Sequence, residues 1–106
     1  MELHELPFSL PEEERLQVAS RTAPAVLAVT DRRMIVGSEH RVALDLPIEA
    51  LRRIQFDVER GRPATLVLVP HDPRHEPQVL AVPDGELEAV SRAMFLVGSR
   101  LQELDR

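Results

Sequence analysis

The sequence contains no lysine, cysteine, asparagine, tryptophan or tyrosine. Without cysteine there is no thiol nucleophile, no disulfide and no thiolate-ligated zinc or iron–sulfur centre. Without lysine there is no Schiff-base chemistry, and without tyrosine no phenolic acid catalyst. The aromatic residues are Phe8, Phe56 and Phe95, too few for a surface that stacks nucleic-acid bases. Four scattered glycines cannot build a phosphate-cradling loop, and none of the serines sits in a Gly-x-Ser-x-Gly elbow. Long hydrophobic runs are also missing: nothing approaches the ~20 apolar residues of a membrane span. The N-terminal stretch MELHELPFSL carries acids where a signal peptide needs a basic region. These absences predict a cytoplasmic, non-enzymatic protein with no cofactor.

What is present is enough for one packed domain. The 106 residues are 43% apolar, and a chain of this length buries about two-thirds of its unfolded surface without a metal or disulfide. The formal charge of −5 is uneven. Residues 1–20 carry five acids and one arginine, residues 21–62 eight arginines and six acids, and residues 63–106 four arginines and seven acids. A weakly basic middle between acidic ends is no nucleic-acid footprint, which requires clustered basic residues. Net negative charge likewise disfavours contact with an anionic membrane. All 13 basic residues are arginine, a bias that points to a GC-rich, bacterial coding sequence.

Proline and glycine divide the chain into segments of strand length. Pro7 and Pro11 predict an irregular N-terminal arm over residues 1–11, followed by a single domain over 12–106. Residues 15–20 fit either a helical turn or a first strand. Residues 25–30 (AVLAVT) and Met34, Ile35 and Val36 are short apolar runs separated by Thr30, Asp31, Arg32 and Arg33, a hairpin pattern. Val42, Leu44 and Leu46 alternate with Ala43 and Asp45. In residues 53–59, Ile54, Phe56 and Val58 point one way while Arg53, Gln55, Asp57 and Glu59 point the other, as on a sheet with one wet face. Residues 64–69 (ATLVLV) read as a central strand, and residues 78–82 as a further short one.

The period then changes. Leu87, Val90, Met94, Val97, Leu101 and Leu104 recur at helical spacing, with Asp84 as the expected N-cap. Phe95 and Leu96 widen the apolar face, so the helix is expected to cover a sheet opening and to leave apolar surface for a partner.

The stretch 26–36, VLAVTDRRMIV, resembles the hairpin of bacterial pleckstrin-homology-like (PH-like) and GRAM-type domains, where an apolar strand runs through Thr-Asp-Arg-Arg into a second. Residues 46–61 (LPIEALRRIQFDVERG) resemble the segment that follows, and residues 63–69 and the terminal helix come in the same order. The resemblance spans about residues 11 to 104. It implies a mainly β, α+β fold: a barrel of about seven antiparallel strands capped by one C-terminal amphipathic helix. It also implies a non-enzymatic module that binds a lipid head group, a peptide or copies of itself. In lipid-binding members basic residues gather between the first two strands, whereas residues 21–24 here offer only Arg21.

The leading expectation is therefore a module that binds a protein partner or self-associates into a homo-oligomer, with Phe95 and Leu96 on its interaction surface. The alternative is a binder of a small anion or head group through Arg21, Arg32, Arg33 and Arg41, since guanidinium forks bind phosphate and carboxylate bidentately. A more distant alternative is metal binding through His71, Asp72 and His75. Pro70, Pro73 and Pro77 keep that loop from the helix on which a His-x3-His pair converges, so no metal ligand is expected.

Overall fold

The computed structural model describes residues 1–104. The side chain of Leu104, last of the expected helical stripe, and the chain end of the expected domain lie outside the described residues. Seven strands form two antiparallel sheets followed by one helix. The first sheet has the order β1 (Leu16–Arg21), β2 (Val26–Thr30), β3 (Arg33–Gly37) and β4 (Val42–Pro47). The second has the order β5 (Leu51–Asp57), β6 (Ala64–Pro70) and β7 (Gln78–Val82). Helix α1 runs from Leu87 to Leu104 and is too polar to cross a membrane.

The strand count and terminal helix are as expected, but the barrel does not close. Two sheets stand apart, bridged at one corner by Ala23 and Ala81, which exchange backbone hydrogen bonds of 2.9 and 2.8 Å. At the other corner β4 passes into β5 through a short 3-10 turn, and no ladder joins the two strands. The ambiguous residues 15–20 fall almost wholly within β1, from Leu16 on, because Val18, Ala19 and Ser20 find partners in Val29, Ala28 and Leu27.

The core lies between the sheets under α1. Leu27, Val29, Met34, Val36, Leu44 and Leu46 face it from the first sheet, Leu66, Leu68, Leu80 and Val82 from the second, and Val90, Ala93 and Val97 from α1. The first sheet is also covered outside. Ala19, Ala28 and Ile35 on its outer face pack against Met1, Leu6, Phe8, Leu10 and Leu16. Burial on both faces explains why β2 and β3 are continuous apolar runs without alternation. The N-terminal segment that lies there is held by a 3-10 turn over Leu3–Glu5 and an ion pair from Glu5 to Arg21.

α1 starts later than its expected cap. Asp84–Glu86 form a 3-10 turn with no side-chain cap, and Glu86 turns to β1, accepting from the Arg21 amide at 2.6 Å and the Ser20 hydroxyl at 3.2 Å. Farther along, Arg100 Nε donates to Glu49 at 2.9 Å and its Nη1 to the Asp31 carbonyl at 3.1 Å. The helix is thus tied to the first sheet and to the turn that joins the two sheets.

Candidate interaction groove between β5 and α1

β5 is an edge strand, paired with β6 on one side only. Its register sets Ile54 opposite Leu68 and Phe56 opposite Leu66. Partners in an antiparallel ladder share a face, so Ile54 and Phe56 belong to the inner, core-facing side. Yet Leu66 and Leu68 are fully buried while Ile54 and Phe56 are only half-buried. α1 approaches this edge of the sheet without sealing it, and a gap is left between the helix and β5.

The helix contributes Met94, Gly98 and Leu101, spaced four and three apart and therefore on one stripe. With Ile54, Phe56, Arg52 and Arg53 they line a groove of about 460 Å³. A Cβ built on Gly98 would meet nothing within 4 Å, so the helix wall is open there. Alternation predicts that Val58 extends the apolar face of β5. It lies just past the strand, 63% exposed, where with Pro63, Ala64 and Leu87 it helps to line a second depression of about 470 Å³.

The outer row of β5 is polar and ordered. Arg53 Nη2 donates to Gln55 Oε1 at 3.2 Å, and Gln55 Nε2 donates to Asp57 Oδ2 at 2.8 Å. The groove lining holds two arginines and no acid. Arg52 makes no ion pair among the described residues.

The structure does not bring the four candidate arginines together. Arg32 and Arg33 lie at one end of the first sheet, whereas Arg21, the last residue of β1, and Arg41, just before β4, lie at the opposite end. Arg33 is fully engaged: its Nε reaches Glu14 at 2.8 and 3.1 Å, and its Nη1 reaches Asp45 at 2.7 and 2.9 Å. Hydrogen bonding to Glu14, opposed by burial and assisted by Asp45, raises the Arg33 pKa further above its ordinary value. Arg21 pairs with Glu5 beside a depression of about 380 Å³ lined also by Glu39 and Ser38. Arg32 and Arg41 are exposed. The tight turn is closed by Thr30, whose Oγ1 accepts from the Arg32 and Arg33 amides at 3.0 Å.

Phe95 is 73% exposed and Leu96 half-buried against the core. Adjacent helical residues sit about 100° apart, so the two do not share one surface. His71 and His75 are exposed, while Asp72 is occupied by Arg74, whose Nη2 approaches to 2.7 Å. Side-chain and backbone hydrogen bonds from Arg74 hold the Asp72 carboxyl below its ordinary pKa. Among the described residues no group of three or more His, Asp or Glu is arranged to hold a metal.

Two antiparallel sheets, a terminal helix and an edge strand at β5 set the frame for comparison with solved structures. The chain superimposes on a crystal structure of a pleckstrin homology domain from Shewanella amazonensis SB2B with a TM-score of 0.58 at 21% identity, over 80% of this chain and 84% of that one. The fold is PH-like. No protein-family model matches the chain, and no curated protein does.

Sequence reasoning finds Ile54 and Phe56 as one apolar face and Met94 and Leu101 on the apolar stripe of the helix, and all four pack at the border of the core. The groove between them depends on strand order, because only an edge strand leaves its inner face half-open. No local pattern records which strand that is.

Proposed function

We propose that this PH-like domain is a non-enzymatic interaction module whose working surface is the β5 edge and the groove beside α1. There it takes an extended segment of a protein partner as an additional strand. The observation that carries this reading is the half-burial of Ile54 and Phe56 opposite the fully buried Leu68 and Leu66. An edge strand presents unpaired N–H and C=O groups, and a neighbouring apolar groove receives alternate side chains of the strand that pairs with it. Arg52 at the groove and Arg53 on the outer row of the same strand favour an acidic residue in the incoming segment. The arginines of the anion-binding alternative do not converge on a common point, which leaves that reading without a built site.

The test is a residue-resolved NMR titration of the full chain with a short peptide alternating valine and aspartate. The reading expects shifts confined to β5 and to Met94, Gly98 and Leu101. Shifts elsewhere only, or none at saturating peptide, overturn it.

A further inference from the structure

We infer that the segment docking on β5 is β5 of a second copy of this chain, paired antiparallel about Gln55; the inference rests on the docking reading above. The strand is self-complementary. A twofold axis perpendicular to the sheet keeps both inner faces on the same side and pairs residues of matching parity. Centred on Gln55, it sets Arg53 opposite Asp57 of the other copy and Asp57 opposite its Arg53. On the inner face it sets Ile54 opposite Phe56, twice. Each outer-row charge meets its opposite, and each half-buried apolar side chain of the strand meets another.

The outer row is held ready for this. Within one copy Gln55 links Arg53 to Asp57 through the two hydrogen bonds of 3.2 and 2.8 Å. Neither charged end of the row has an ion-pair partner among the described residues. Pairing would seal the row of unpaired backbone groups that an exposed edge otherwise presents, a liability that proteins with free edges must cover. Opposite charges and aromatic–β-branched pairs directly across a ladder are favourable, and like charges there are unfavourable.

The experiment is sedimentation equilibrium of the full chain from about 1 to about 300 μM, a span that covers the affinities of weak and moderate homodimers. It is applied to the wild type, to R53D, to D57R and to an equimolar mixture of the two variants, each first shown to be folded by circular dichroism. The expected result is a wild-type dimer, a loss of at least about tenfold in dimer affinity for each variant alone, and recovery in the mixture. Recovery follows because a mixed pair sets the two acids of the R53D row against the two arginines of the D57R row. A folded wild type that stays monomeric throughout overturns the inference, as does a dimer indifferent to both reversals or a mixture no tighter than either variant. If the chain is monomeric but the valine–aspartate peptide still shifts Ile54, Phe56 and Gly98, self-pairing falls while the docking reading stands. If neither occurs, both fall.

Discussion

Arg33 closes a two-oxygen contact on Glu14, with Nε 2.8 and 3.1 Å from the carboxylate oxygens, across 19 residues of sequence. The Glu14 side chain is only 4% exposed, and its charge is matched in place by the guanidinium. This pair fixes the entry to β1 against the β2–β3 turn. Removing one member leaves a nearly buried charge without a counterion, the expensive way to break such a contact. Arg33→Met is expected to cost about 2–3 kcal/mol in urea unfolding. Arg32→Met at the neighbouring exposed position is expected to change stability by less than about 0.5 kcal/mol.

The same pair sets an acid limb. Burial works against the ionised Glu14, but hydrogen bonds from Arg33 and Thr30 and the charges of Arg33 and Arg32 outweigh it and hold its pKa below the ordinary value. A carboxyl depressed in the folded state stabilises fully above its unfolded pKa and loses that contribution as pH falls through the folded one. Stability is therefore expected to be flat near neutrality and to decline once pH drops below about 5. Glu14→Gln is expected to lower stability at neutral pH and to flatten the acid slope. Unfolding midpoints measured across that range check both signs.

The segment before β1 covers apolar surface. Ala19, Ala28 and Ile35 are buried on the outer face of the first sheet because Met1, Leu6, Phe8 and Leu10 lie across them. Phe8→Ala is expected to cost about 1–2 kcal/mol in urea unfolding, since the ring is only part-buried. Deletion of residues 1–10 should cost more and raise binding of a hydrophobic dye, because it bares an apolar outer face.

Gly98 separates stability from docking. A Cβ there meets nothing, and glycine inside a helix is unfavourable relative to alanine by about 0.5–1 kcal/mol. Gly98→Leu is therefore expected to leave thermal stability unchanged or slightly raised, while its side chain fills the groove and weakens docking on β5 by at least about tenfold. A variant that is stabilised and docks normally would place the working surface elsewhere.

Much of the fold is legible in the sequence. The hairpin of β2 and β3 is written in two apolar runs around Thr30–Arg33, and α1 in a stripe of period 3.6. Residues 53–59 show where reading stops. Alternation places Ile54 and Phe56 on one face correctly, but the strand starts at Leu51, with a register shift before Arg53, and its pairing ends at Asp57 opposite Thr65, which leaves Val58 beyond it. Long-range pairs are invisible for a different reason. Arg33 with Glu14, Arg100 with Glu49 and Glu86 with Ser20 join residues 19 to 66 positions apart. Their charges look solvated when read locally, and only the tertiary fold selects partners. Proline at 7 and 11 makes the N-terminal segment read as irregular, and its apolar residues give no sign of the face they cover.

Amide hydrogen exchange along β5, followed as protein concentration rises from about 1 to about 300 μM, tests the central claim most directly. Amides of β5 pointing away from β6 are expected to become protected with concentration, or with the valine–aspartate peptide if a second copy does not bind. Amides of β6, already paired on both sides, should not change. Exchange in β5 that is fast and indifferent to both concentration and peptide would contradict it.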